Sequence, residues 1–226
     1  MRREKTSASQ EDYLKAIWEI VQEEQVPISA RLAEDLSVTP PAVTAALKRM
    51  TRGGYLHVRR NGRIELTSKG KDIAQHLVLR HRLAEKLLTE VIGLEWARAH
   101  EEAERLEHGI SHEVVNLLLK RFGRDSRCPH GVPLFGGLAK LRRKHGAVRL
   151  SDAEIGQSYE VMRVYEKDPR FLDFLENFHL RPGARLRVHQ REYDQTMALG
   201  VAGHRSPRVY VGKPATERVW VRRLAS

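Results

Sequence analysis

The sequence predicts a mainly helical chain with a small β-domain at its C-terminal end. Three observations carry this. Apolar residues recur at helical spacing through most of the chain up to Phe122. Two short alternating runs, Tyr55-Leu56-His57-Val58 and Ile64-Glu65-Leu66, flank Asn61-Gly62, a strong short-range hairpin signal. After Leu150, Val161, Val164, Leu186, Val188, Val209, Val211, Val219 and Val221 sit in short strands bounded by turns.

The elements follow in order. Tyr13, Leu14, Ile17, Ile20 and Val21 give an amphipathic helix over 10–24, with Ser9 and Asp12 as a capping-box-like start. Ile28, Leu32 and Leu36 mark a second short helix. Pro40-Pro41 suit the first turn of a third, because proline's missing N–H would have no partner there. That helix runs from about Pro41 to Arg52, carries Val43, Leu47 and Met50, and stops at Gly53-Gly54. Helix, helix, turn, helix and hairpin in this order describe a winged helix-turn-helix. Helices are then expected over 68–91, 94–107 and 111–122, with Ser111 as an N-cap and Gly123 beyond the end. Residues 124–147 read as a connecting loop, and a helix near 168–178 interrupts the β-domain.

The chain has 226 residues, of which 41% are hydrophobic and 31% charged. That is a globular composition, long enough to bury a core without disulfides. The single cysteine, Cys128, excludes a disulfide scaffold and fits a reducing, cytoplasmic setting. No apolar run approaches the length of a membrane span, and the charged start MRREKTSASQ shows no signal peptide.

The net charge of +11 points to a polyanionic partner. Lys48, Arg49, Arg52, Arg59, Arg60, Arg63, Lys69 and Lys71 are opposed only by Glu65 and Asp72, so 39–72 carries +6. This charge coincides with the third helix and the hairpin, the elements that enter the major groove and follow the backbone of duplex DNA. Lys48, Arg49, Arg52, Arg59, Arg60 and Arg63, with Arg31 on the second helix, are the expected phosphate contacts, which supply affinity rather than sequence choice. Thr39, Pro41, Ala42 and Ala45 would face the bases. Being mostly apolar, they can touch thymine methyls but make no bidentate hydrogen bonds, so shape readout is expected to contribute. A solvated basic face is the alternative.

A second constellation has the chemistry of a metal site. At about 100° per residue, His100, Glu104, Glu107 and His108 fall within an arc of about 100° on one helix. His81 and Glu85, four apart, lie on the preceding helix. Imidazoles and carboxylates on neighbouring helices make a divalent-cation site. A solvated face laced with ion pairs to Arg82, Lys86, Arg98 and Arg105 is the alternative. A zinc hydrolase is not indicated: His100-Glu101-Glu102-Ala103-Glu104 puts glutamate where HExxH needs its second histidine. No nucleophile, phosphate-binding loop or catalytic pair is apparent, so no enzyme is expected.

Arg80-His81-Arg82-Leu83-Ala84-Glu85-Lys86-Leu87-Leu88, His100 to His108, and Cys128-Pro129-His130-Gly131 resemble the diphtheria-toxin-repressor family of metal-dependent transcriptional regulators. The resemblance spans nearly the whole chain. It implies a winged helix-turn-helix over 1–75, a helical metal-binding and dimerisation domain over 76–148 and an SH3-like domain over 149–226. It implies a homodimer on a double-stranded operator; apolar positions of the helices at 94–122, such as Leu94, Ile110, Val114, Leu117 and Leu118, are the expected dimer contact. It also implies a primary metal site of Asp12, Glu104, Glu107 and His108. An ancillary site would use His81, Glu85 and His100, closed by Glu166 or Asp168. The iron-responsive branch has methionine and cysteine at the positions of Asp12 and Glu104. The carboxylates here favour a harder cation, Mn(II) first and Fe(II) as the alternative. Two-domain manganese-responsive members carry an acid where this chain has Lys15, so separated sites are expected rather than a paired-metal cluster. The implied function is metal-dependent regulation, with repression of metal-uptake genes. A winged-helix regulator answering a non-metal effector is the rival reading.

Overall fold

The computed structural model describes residues 6–225. The chain divides into two compact units: one ends at His81 and takes in Glu107–Ser111, and the other comprises Arg82–Leu106 and the residues from His112 onward.

In the first unit, helix α1 (Ala8–Gln22) is followed by α2 (Ser29–Asp35) and α3 (Pro40–Arg52). Strands β1 (Leu56–Val58) and β2 (Ile64–Leu66) then pair antiparallel, Leu56 facing Leu66. Helix α4 (Ser68–Lys86) begins in this unit. One apolar core holds it together, built from Leu14 and Ile17 of α1, Leu32 of α2, Val43, Leu47 and Met50 of α3, and Leu56 and Ile64 of the hairpin. This is the expected winged helix-turn-helix. The capping box lies two residues earlier than the sequence suggested: the Gln10 amide donates to Ser7 Oγ, and Gln10 caps the Ser7 amide in return. Asp12 is thereby left out of the cap.

In the second unit, α4 gives way to a π-helical segment, Leu87–Ile92, which ends at Gly93 in the left-handed conformation. Helices α5 (Trp96–Leu106), α6 (His112–Phe122) and α7 (Leu138–His145) follow. The last of these corrects the loop expected over 124–147: Leu138 and Leu141 are buried, so the basic run 140–145 rides on an amphipathic helix. A six-stranded antiparallel sheet completes the unit, from β3 (Val148–Arg149), β4 (Ser158–Val164), β5 (Arg185–Arg191), β6 (Met197–Val201), β7 (Val209–Val211) and β8 (Val219–Arg223). Its order is β3-β8-β4-β5-β6-β7. Between β4 and β5 lies α8 (Pro169–Asn177), and before β8 a single turn, α9 (Lys213–Thr216). The sheet's inward residues, among them Val161, Leu186, Val188, Leu199, Val211 and Val221, share one core with Leu172 and Leu175 of α8 and Trp96 of α5. Among the described residues, no helix is long and apolar enough to cross a membrane.

One glycine sets the geometry of a candidate site. Gly131 has φ +90°, and a Cβ there would lie 2.1 Å from the Met162 carbonyl oxygen on β4. Only a residue without a side chain lets the Cys128–Gly131 turn approach the sheet this closely. Gly131→Ala is expected to destabilise the protein by about 2 kcal/mol or more, through both strain and overlap. A shift in the urea midpoint measures this; an unchanged midpoint would show that the turn is not pressed on β4.

Candidate metal centres and DNA interface

A buried ion pair organises the first unit. Lys15 Nζ donates to both carboxylate oxygens of Glu107, at 2.9 and 2.8 Å. His81 Nδ1 donates to Glu107 Oε2 at 2.6 Å. Lys15, His81 and Glu107 are all buried. Burial alone would raise the Glu107 pKa; the His81 hydrogen bond and the Lys15 charge outweigh it, and the net shift is downward. His81, expected as an ancillary ligand, also supports Glu107 here.

Beside this pair, His108 sits between two carboxylates. Its Nδ1 lies 2.8 Å from Glu11 Oε2 and its Nε2 2.9 Å from Asp12 Oδ1. Burial pushes the His108 pKa down, but Glu11, Asp12 and Glu107 together raise it. Burial is also the main reason the Asp12 pKa is raised, with His108 opposing. Donor atoms of Asp12, Glu107 and His108 all lie within 4.8 Å of one another. Two carboxylates and an imidazole at that spacing form an N,O donor set for a hard divalent cation. Glu11 is a neighbour the sequence reading did not single out; its place one residue before Asp12 was the only signal.

The second unit holds another cluster, which joins Glu85, an expected ancillary ligand, to Cys128 and His130, which the sequence had shown but not assigned. His130 is completely buried. Its Nε2 donates to the Trp96 carbonyl at 3.0 Å and its Nδ1 to Glu85 Oε1 at 3.1 Å. Both partners only accept, so both ring nitrogens carry protons; burial pushes the His130 pKa down, but Glu85 and Cys128 raise it well above the ordinary value. His100 Nδ1 approaches the same oxygen at 3.3 Å. Donor atoms of Glu85, Cys128 and His130 again lie within 4.8 Å of one another. Burial pushes the Cys128 thiol up to about 11, with Glu85 adding to the effect. The turn is anchored by the Cys128 amide on Val132 O and the Val164 amide on His130 O. Nearby, Arg82 Nη1 donates to the carbonyls of Pro133 and Gly136, both at 2.7 Å.

The remaining expected ligands have other partners. Glu104 is half exposed on α5, its Oε1 3.6 Å from His100 Nε2. Asp168 caps α8 through the Phe171 amide at 3.1 Å and pairs with Arg218 at 3.0 Å, which leaves it engaged on the surface. Glu166 pairs with Arg163 at 3.6 Å, and its buried Oε2 has no hydrogen-bond partner among the described residues. It also acts electrostatically on Cys128. That Oε2 faces the Arg163 guanidinium at ion-pair distance without hydrogen-bonding it.

On the DNA face, Pro41, Ala42, Ala45, Lys48, Arg49 and Arg52 are exposed along α3, and Thr39 is its N-cap residue. Lys48, Arg49, Arg52 and Arg60 make no ion pair among the described residues, so their charge is available. Three of the expected phosphate contacts are otherwise occupied. Arg59 and Arg63 share Glu65, at 2.6 and 3.6 Å, and Arg31 donates to the Val26 carbonyl at 2.6 Å.

Three family models match consecutive parts of the chain. An iron-dependent repressor N-terminal DNA-binding domain covers 5–63, the metal-binding and dimerisation domain of the same repressors covers 67–136, and a FeoA domain covers 148–223. The diphtheria toxin repressor of Corynebacterium efficiens is 36% identical over 182 residues, 79% of each chain. The chain belongs to the diphtheria toxin repressor family. Among its relatives in that family, the iron-dependent repressor IdeR of Mycobacterium leprae is 41% identical over 126 residues, 56% of this chain and 55% of that one. A solved manganese-dependent transcriptional repressor in complex with manganese aligns at a TM-score of 0.84 with 28% identity, covering 95% of this chain and 100% of that one. As a member of this family, the chain is a DNA-binding, metal-dependent transcriptional regulator.

Removing the buried ammonium tests the first cluster. Lys15→Met leaves Glu107 buried without its counter-charge, and a loss of about 3–5 kcal/mol in unfolding free energy is expected. Lys15→Met combined with Glu107→Gln should recover much of it. A double variant no more stable than the single one would show that the pair contributes little.

Proposed function

We propose that this chain is a manganese-responsive repressor of metal-uptake genes, acting in the cytoplasm as a homodimer. The observation that carries the choice of metal is the donor set around His108. Asp12, Glu107 and Glu11 offer carboxylate oxygens and no sulfur, which suits Mn(II) over softer ions. Selectivity over Zn(II) then rests on geometry and supply, because affinity order alone favours zinc. Glu85, Cys128 and His130 form the second position we propose, with His100 and Glu166 as further donors. Its thiol suits Fe(II), Co(II) or Zn(II) better than manganese. The three domains over 1–75, 76–148 and 149–226 correspond to DNA binding, metal binding with dimerisation, and an SH3-like appendage.

A bound cation would neutralise the carboxylates around His108 and favour the DNA-competent arrangement over others, by its differential affinity for that state. The chain's own residues do the rest. Lys15 and His81 hold Glu107 in place, and Asp12 ties α1 to the 107–111 segment. Arginines and lysines of α3 and the hairpin reach phosphates, while the apolar first turn of α3 lies against base edges. Exposed Val91, Ile92, Val114 and Leu117 are available to a second copy. Buried Leu118 supports them from within.

Two metals separate the two positions. Co(II) should give a near-ultraviolet thiolate charge-transfer band that disappears in Cys128→Ser and persists in Asp12→Asn. Mn(II)-dependent binding to a promoter fragment, followed by fluorescence anisotropy, should fall at least tenfold in Asp12→Asn and His108→Gln. Binding that is equal with and without Mn(II) would refute the metal switch. Leu117→Glu is expected to turn the dimer into a monomer on sedimentation; an unaltered dimer would move the interface elsewhere.

A further inference from the structure

The β-domain carries a basic face that its sequence charge alone does not explain. From Arg181 onward there are ten basic residues and three acidic ones. Many of the cations are spent on neighbours: Arg218 on Asp168, Arg222 on Glu160, Arg223 on Glu154 and Arg181 on Glu176. Arg185, Arg187, Arg205 and Arg208 are exposed and make no ion pair or side-chain hydrogen bond among the described residues.

Their placement is ordered by the sheet. On β5, Arg185, Arg187 and His189 alternate with the buried Leu186 and Val188, so they share the outward face. Across on β6, Arg187 faces Gly200, and the Ala202 amide bonds the Arg185 carbonyl. Opposite each arginine there is thus a residue with little or no side chain. The result is a cleft of about 410 Å³, with Arg185, Arg187 and His189 on one side and His204, Ser206 and Pro207 on the other. Arg205 and Arg208 flank it on the same loop. A Cβ at Gly200 would meet His189 Nε2 at 2.6 Å, so the imidazole lies over that glycine.

We propose that this cleft is a second DNA contact, taking the phosphodiester backbone of the duplex. Alternate side chains on a strand stand about 6.8 Å apart, comparable to the step between successive phosphates on one strand. The small residue opposite Arg185 leaves room for a backbone beside the His189 imidazole that covers Gly200, and the unpaired guanidiniums supply bidentate donors for phosphate oxygens. With no base-reading groups in the cleft, the contact adds affinity without sequence preference. The inference rests on the family's DNA binding and extends it to a domain that no comparison assigns to DNA.

The test is the salt dependence of binding to a random-sequence duplex by the full chain with Mn(II), measured by anisotropy. Each phosphate contact contributes about 0.9 to the slope of log K against log salt. Arg185→Gln with Arg187→Gln should lower the magnitude of the slope by about 1–2, while Arg185→Lys with Arg187→Lys should keep it near the parent value. Lys48→Gln with Arg49→Gln serves as the α3 control. A cleft variant with the parent's slope overturns the proposal; if the α3 variant still lowers the slope, DNA binding by the winged helix stands on its own. A cleft lysine variant that falls as far as the glutamine one also overturns it, since charge would then not be the cause.

Discussion

Burying Glu107 is the constraint on which the chemistry of the first unit depends. A lone carboxylate in the interior is costly enough that it must be paired, protonated or bound to a cation. Lys15 resolves this from α1, placing an ammonium on both oxygens. His81 adds a short hydrogen bond. The pair fixes Glu107 and binds the first helix of the winged domain to the segment that also carries His108. Asp12 and Glu11, on that same helix, then meet His108 from the other side. One tethered positive charge is therefore built into the protein, beside a cluster suited to a single further cation.

The same charge explains why separated metal positions suit this chain better than a pair sharing Glu107. Two divalent ions beside an ammonium, all within a few ångströms, would repel strongly in a poorly screened interior. The second cluster brings its own carboxylate, Glu85, and does not draw on Glu107. Its thiol also differs in softness from the oxygens around His108, so the two positions are chemically distinct.

Much of this was legible in the sequence, for identifiable reasons. The winged helix was readable because apolar spacing, Pro40-Pro41 and Asn61-Gly62 all agree on the same local structure. The β-domain was readable from its alternating valines. The α7 helix was hidden because Gly136-Gly137 and a run of lysines and arginines mask two buried leucines. The ligand clusters were half legible. Helical spacing grouped His100, Glu104, Glu107 and His108, but α5 ends at Leu106 and Glu107–Gly109 form a 3₁₀ turn. A single helical pitch therefore does not describe all four. The buried cluster of Glu85, Cys128 and His130 joins residues more than 40 apart, which no periodicity can reveal. Lys15 was visible as an oddity, yet only the fold shows that it holds Glu107.

The most direct test of this account is the anomalous scattering of manganese in crystals of the full chain grown with Mn(II). The account predicts a manganese peak bounded by Asp12 and His108, with Lys15 Nζ still within hydrogen-bond distance of Glu107. Two manganese ions about 3.5–4 Å apart, sharing Glu107 with Lys15 displaced, would contradict it.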